Sequence, residues 1–426
     1  VKRAENRDIV MGDRDYVTSR DYEHPYRPLP IRVYNYLGRE LGLSGDLNAE
    51  VLVERARKKT GLTDFGDGGH FEALAVLVKS INREAGLTAT GRLIQKSRLT
   101  GALVHRLRIQ EMLRTHPEIH DIDLGRIILV TGLQRSGTTL LHRLLHSNPD
   151  IRGLSGAELL EPVPAGGMEG RGKISRKLRS ILAQRAITYL SPRFMAVHPI
   201  SYSEPEEDVM LLDLSFMSQA PEATMHVPGY SRWLEDQDHR QAYEHFRQVL
   251  KVLCWQCPGS QWVLKTPHHM EYLDVFLETF PDARIIQTHR DPRKTLPSFC
   301  SMVAQGRAIF SDRVDPGEIA RHWCRKTRRM IELTEAVRSG AGPDRFMDVS
   351  YHDLMQDPIA QLRRIYRWVG INFDDTTAQR AENYIEANPQ DRFGRHSYGL
   401  SDFGLSEEMI EEYFSGYREK YAIPFE

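Results

Sequence analysis

Ile127-Ile128-Leu129-Val130-Thr131-Gly132-Leu133-Gln134-Arg135-Ser136-Gly137-Thr138-Thr139-Leu140-Leu141-His142-Arg143-Leu144-Leu145 is the stretch on which the reading of this chain turns. Ile127 to Val130 form a continuous apolar run, the pattern of a strand covered on both faces. Gly132 and Gly137 bracket a loop rich in hydrogen-bond donors. Leu140, Leu141, Leu144 and Leu145 then recur at the spacing of a helix's core face. Strand, glycine loop and helix together make an anion cradle, because loop amides and the positive end of the helix dipole converge on one place.

The spacing departs from the nucleoside-triphosphate P-loop, G-x-x-x-x-G-K-[ST], at one position. Gly132, Gly137 and Thr139 fit, but Thr138 stands where that loop has lysine, and the cation comes earlier, at Arg135. Gln134 to Thr139 resembles the 5′-phosphosulfate loop of sulfotransferases, whose cytosolic members carry Lys-Ser-Gly-Thr-Thr. Arginine at the first position is similar to the protein-tyrosine and bacterial branches. The resemblance implies that Arg135, Ser136, Gly137, Thr138 and Thr139 hold the phosphosulfate of 3′-phosphoadenosine 5′-phosphosulfate.

A second segment, Ala283 to Pro292, runs from a buried strand into Arg290, with a helix starting near Pro292. Ser298 follows eight residues after Arg290. A guanidinium fork grips phosphate oxygens and a hydroxyl adds a donor, and the pair is similar to the family's 3′-phosphate motif. Pro297 predicts a kink in that helix. Between the two segments, Trp262-Val263-Leu264 reads as a short strand, followed by Lys265-Thr266-Pro267-His268-His269. A lysine at the end of a strand in an open parallel sheet faces the binding crevice, and the family carries a Lys-x-Pro element here. Tyr351 to Pro358 resembles the family's Tyr-x-Asp-Leu-x-x-x-Pro block, which implies Tyr351 beside the adenine. The late Arg-Lys-Gly of cytosolic members is absent; Arg395, or Arg392, is the candidate in its place.

For chemistry, the resemblance implies that Lys265 neutralises charge on the leaving bridging oxygen. It also implies that a base takes the acceptor's proton. Glu158 is the first candidate for that base, since the tyrosine-sulfating branch has an acid in the corresponding segment; His269 and His268 are the alternatives. Glu158 also has a plainer reading, as a first-turn acid of a helix starting near Ala157. Residues 191–231, apolar with scattered polar groups, suggest a pocket for a small hydrophobic alcohol or lipid. Phe216, Met217 and Tyr230 are candidates to face it, with Leu211, Leu212 and Leu214 in the core.

Composition bounds the remainder. The chain has 426 residues, with 57 Lys and Arg against 58 Asp and Glu, which argues against bulk attraction to nucleic acid. No apolar run approaches the roughly 20 residues of a membrane span, and four cysteines do not make a disulfide scaffold. The expectation is a cytoplasmic protein with no metal requirement. Residues 1–30 read as a proline-punctuated extended arm, with homo-oligomer contact as one use. Residues 31–120 read as helices, one of them capped by Asp46, and 121–426 as the sulfotransferase domain. The glycine-dense segment Ala165 to Gly172 suggests a lid, and the basic helix from Lys173 to Leu190 suggests a solvated face. The expected fold is α/β, a P-loop-like, mainly parallel sheet on 127–131, 262–265, 284–289 and 345–350, flanked by helices and preceded by the N-terminal helical region. A P-loop kinase and a non-catalytic nucleotide-binding protein remain the rival readings. Thr138 weighs against the first, and the set Arg135, Lys265 and Glu158 against the second.

Overall fold

The computed structural model describes residues 25–42, 45–165, 171–192, 194, 201–259, 261–389 and 398–426. Four helices come first: α1 (Leu29–Glu40), α2 (Ala49–Thr60), α3 (Gly69–Glu84) and α4 (Ala89–Thr115). The sheet follows, with β1 (Ile128–Gly132), β2 (Ile151–Arg152), β3 (Gln261–Lys265), β4 (Arg284–His289) and β5 (Phe346–Ser350). All pairings are parallel, in the order β2-β3-β1-β4-β5. Helices α5 (Thr138–His146), α6 (Gly156–Leu160) and α7 (Arg171–Leu190) lie between β1 and β3 in the chain. The four expected strands are present; the two-residue β2 gave no apolar run to read.

Alternate residues of each central strand enter two different cores, as a sheet covered on both faces requires. Leu129, Leu264 and Ile285 share one core with Leu52, Leu74, Leu103 and Leu107 of the N-terminal helices. Ile128, Val130, Val263 and Ile286 face the other way, against Leu141, Leu144 and Leu145 of α5 and Leu362 and Ile365 of the helix Pro358–Val369. The register sets Val130 level with Lys265, and Gly132 level with Thr288. The C-terminal ends of β1, β3 and β4 therefore finish along one edge, where the loops that carry chemistry begin.

Several boundaries differ from the sequence reading for local reasons. The arm's last prolines belong to α1, since Pro30 sits in its first turn, where a missing N–H costs nothing. Arg27 ties residues 25–28 down, donating to Asp312 Oδ1 at 2.7 Å and to the Ser311 carbonyl at 3.0 Å. Asn48, not Asp46, caps α2, accepting from the Val51 amide at 2.9 Å. The helix that contains Pro297 runs from Pro292, the expected start, to Phe310. Residues 1–24, the centre of the glycine-dense segment at 166–170, and Arg392 and Arg395 lie outside the described residues. Among the described residues, no helix is long and apolar enough to cross a membrane.

Candidate functional site

The loop between β1 and α5 is held from below. Gly132, at φ 146°, runs so close to β4 that a Cβ there would overlap Thr288 Oγ1. Ser136 is fully buried and its hydroxyl lies 2.5 Å from the Leu133 carbonyl and 2.6 Å from Thr288 Oγ1. That hydroxyl fastens the loop to the sheet; what the loop offers outward is backbone and the neighbouring side chains. Arg135 takes a left-handed conformation, φ 68°, uncommon for a residue with a Cβ. Its Nε donates to Ser298 Oγ at 3.1 Å. Gly137, φ 90°, opens α5, and a Cβ there would come 3.0 Å from the Tyr351 ring. Burial, followed by the Arg290 charge, pulls the Arg135 pKa below its ordinary value, although Tyr398 and Tyr351 work the other way.

A cavity of about 540 Å³ opens over this loop. Its polar lining includes Gln134, Arg135, Thr138, Thr139, Arg290 and Ser298, together with Gly137 and Tyr351. Its apolar lining includes Val209, Ala220, Ala223, Phe299, Met302 and Trp323. Phe216 and Tyr230, expected to face a substrate, are core instead. The Tyr230 hydroxyl is 2.8 Å from the Phe216 carbonyl, and both residues are almost fully buried.

Arg290 leaves β4 and lies across the Tyr351 ring at 3.8 Å. Its Nη1 donates to the Arg135 carbonyl at 3.0 Å, while Nε and Nη2 reach the Glu426 carboxylate at 3.1 and 2.8 Å. Burial works against the Arg290 charge, but Glu426 and Tyr351 hold its pKa above the ordinary value.

Lys265 is completely buried at the end of β3. Its Nζ donates to Thr139 Oγ1 at 3.3 Å and to Glu207 Oε1 at 2.9 Å, so the ammonium lies directly behind two residues that line the cavity. Glu207 is the acid that sequence reasoning passed over, as part of a run at a helix start. It arrives on an extended segment that pairs with residues 154–157 through the Ser155–Pro205 bridge and the Glu206 amide. Asp208 completes the fastening, accepting from the Lys265 amide at 2.7 Å.

Glu158 is placed differently from the expectation. It closes a capping box with Ser155 at the start of α6 and is ion-paired to Arg152. It is not among the residues lining the cavity. Burial disfavours its charge, yet Arg152 and Ser155 hold its pKa below normal. His269 is likewise engaged: Nε2 lies 3.0 Å from Asp208 Oδ1 and Nδ1 2.7 Å from the Tyr243 hydroxyl, with no exposed surface. Both ring nitrogens are thus taken up by partners inside the protein. His268, in contrast, lines the cavity with neither ring nitrogen partnered among the described residues. Burial, followed by the charges of His269, His239 and Lys326, holds its pKa well below 6.5 and keeps the imidazole neutral. Beneath Gln219 and Trp323 lies a buried cation, Lys326, within 3.2 Å of Glu222, 3.0 Å of Glu235 and 3.1 Å of Glu271.

A strand-ending glycine loop and a strand-ending arginine with a serine eight residues further on converge on one cavity, with a strand-end lysine directly behind its lining. The profile of the Sulfotransferase family matches residues 128–375, more than half of the chain. The chain belongs to the sulfotransferase family. Two solved structures are similar over nearly their whole lengths. Sulfotransferase STF1 of Mycobacterium tuberculosis H37Rv is 33% identical with TM-score 0.77, the match covering 88% of this chain and 100% of that one. Sulfotransferase STF9 of Mycobacterium avium is 30% identical with TM-score 0.81, covering 89% and 98%. A curated relative, the omega-hydroxy-beta-dihydromenaquinone-9 sulfotransferase Stf3 of Mycobacterium bovis, is 26% identical over 274 residues, 61% of this chain. The match spans 66% of the length of that relative.

Proposed function

We propose that this sulfotransferase-family chain moves a sulfuryl group from 3′-phosphoadenosine 5′-phosphosulfate to the hydroxyl of a small hydrophobic alcohol or lipid. The observation that carries the reading is the Lys265–Glu207 pair, set against Thr139 at the junction of the anion loop and the apolar wall. Bare nucleotide binding has no use for a buried cation coupled to a carboxylate at that point. The residues present suit the donor, with two guanidinium groups, a hydroxyl and the loop amides on one cavity. When bound, the donor supplies the sulfuryl group together with its bisphosphate leaving group.

On this reading Arg135 and the amides of Ser136 to Thr139 hold the phosphosulfate, while Arg290 and Ser298 hold the 3′-phosphate, with Tyr351 beside them. Lys265 acts from a water-excluded position, where a fixed positive charge favours negative charge building on the loop side. Glu207, rather than Glu158, is the proton acceptor, paired with Lys265 and open to the cavity. A second reading of the base rests on His268, a lining residue whose two ring nitrogens are unpartnered among the described residues. The acceptor class draws on the apolar lining and on Stf3, whose name gives a hydroxylated acceptor.

The test is ligand-dependent melting followed by a transfer assay. Adenosine 3′,5′-bisphosphate should raise Tm by preferential binding to the folded state, with ATP and magnesium doing much less. Labelled sulfuryl should then move from the donor to a long-chain alcohol. Equal shifts from ATP and the bisphosphate, with no transfer, would overturn the reading in favour of a kinase or a binding protein.

A further inference from the structure

Helix α7 carries no acidic residue and six basic ones across 171–190. Its solvent side is nonetheless apolar: Ile174 is 68% exposed, Leu178 54%, Leu182 54% and Tyr189 52%, with Ile181 at 38%. At 100° per residue, Ile174, Leu178, Ile181, Leu182 and Tyr189 fall within about 100° of arc, one continuous stripe. Exposed Lys177 and Arg179 flank the stripe on either side, and exposed Arg185 lies within it. The opposite side of the helix, at Gly172 and Ser180, is buried against the protein. A solvated face explains the arginines and lysines but not four large aliphatic side chains standing in water.

The helix is also fastened. Arg176 donates to the carbonyls of Glu161 and Pro162 at 2.9 and 2.6 Å, and Arg179 pairs with Glu161 at 2.6 Å. Four residues beyond α7, Phe194 packs near Gly306, whose Cβ would lie 3.6 Å both from that ring and from the Ala223 carbonyl. Ala223 and Met302, one turn before Gly306, belong to the apolar lining of the cavity. The stripe is thus joined at one end to the wall on which a hydrophobic acceptor would lie.

We infer that α7 is an interfacial helix that docks the protein on an anionic phospholipid surface. Charge decides the occupant: an apolar stripe on a helix with cations and no acid matches a bilayer with negative headgroups, where the stripe enters the acyl boundary and the long basic side chains reach back to phosphate. Helix α1 provides the contrast. It also exposes Leu29 and Leu37, at 70% and 43%, but mixes Arg39 with Glu40 and has no such charge bias. Docking in this form does not depend on the identity of the acceptor.

The test is sedimentation of the full chain with vesicles of phosphatidylcholine alone and of phosphatidylcholine mixed with phosphatidylglycerol. Binding is expected to the mixed vesicles and to fall several-fold as salt rises. The double variant Leu178→Ser, Leu182→Ser should bind on the order of tenfold more weakly, while Leu29→Ser, Leu37→Ser on α1 should match the parent. Tm and its shift by adenosine 3′,5′-bisphosphate should be unchanged in both, which separates lost docking from lost folding and from failure of the donor reading. Equal binding to neutral vesicles, or loss only with the α1 variant, would overturn the inference. So would a concentration-dependent dimer that the α7 variant abolishes while vesicles bind neither protein, because a second copy would then cover the stripe.

Discussion

Glu426 occupies the side of the Arg290 guanidinium that a phosphate would use, so removing its charge is expected to tighten the donor site. Nε and Nη2 are both committed to its carboxylate, while Nη1 holds the Arg135 carbonyl. A 3′-phosphate must either displace Glu426 or accept a neighbour of like charge; both cases oppose binding. The side chains are 18% and 26% exposed. An effective dielectric of about 20 makes a contact at 4 Å worth roughly 4 kcal/mol, an upper figure for the charge interaction. Partial exposure and the entropy of holding two side chains reduce pairs of this kind to about 1 kcal/mol. Glu426→Gln should therefore strengthen adenosine 3′,5′-bisphosphate by about fivefold, at 1.4 kcal/mol per tenfold. Affinity for adenosine 5′-phosphosulfate, which has no 3′-phosphate, should stay the same. Titration calorimetry at low salt measures both. A weaker bisphosphate would refute the reasoning, because Glu426 would then be aiming Arg290 at the phosphate rather than competing with it.

Arg290→Ala should weaken the bisphosphate by about 1.5–3 kcal/mol and leave the 5′-phosphosulfate nearly unaffected, and equal losses in calorimetry would make Arg290 structural. Glu207→Gln should lower turnover by about 10²–10⁴ with bisphosphate affinity kept, whereas Glu158→Gln should cost about 1 kcal/mol of stability through its cap and little activity; the reverse pattern in paired kinetic and denaturation series would restore Glu158 as the base. Lys326→Met strands Glu222, Glu235 and Glu271 without their shared cation and should destabilise by about 3–5 kcal/mol, a figure that urea unfolding checks. Burial holds His70 at about 3 and His239 at about 4, below the ordinary 6.5. The unfolded chain takes up those protons first, so stability is complete above about pH 6.5 and is lost as pH falls toward the folded values; a flat Tm profile across that range would contradict their burial.

The fold was legible where chemistry and backbone coincide in a short window. The run Ile127–Val130, the two glycines and the leucines of α5 each carry one local signal, and the three agree. The same holds for β4 and the arginine that ends it. Helix α4 shows the limit: its start at Ala89 has little local signal. Thr88 caps it, but the buried residues of its first turns are Ala89, Thr90, Gly91 and Gln95, which leave no apolar period to read. Strand β2 is two residues long and exists only because β3 offers it an edge.

Part of the site was hidden for a different reason, and Glu158 and Glu207 show it as a pair. Ser155-Gly156-Ala157-Glu158 has the S-x-x-E form of a capping box, so its local signal named the structural role the residue has. Glu207 sits in Glu204-Pro205-Glu206-Glu207-Asp208, a run of acids that fits any helix start or solvated loop. Its address depends on the Ser155–Pro205 bridge and on Asp208 gripping the Lys265 amide, contacts across about 50 residues of chain. Residues that follow a strand inherit a position from the sheet, as Arg135, Lys265 and Arg290 do. Glu207 inherits its position from a neighbour that is itself placed by tertiary contact, and no period or spacing in the sequence encodes that second step. The proposed base is accordingly found by asking which segment lies against the strand-end lysine, not which acid follows the central helix.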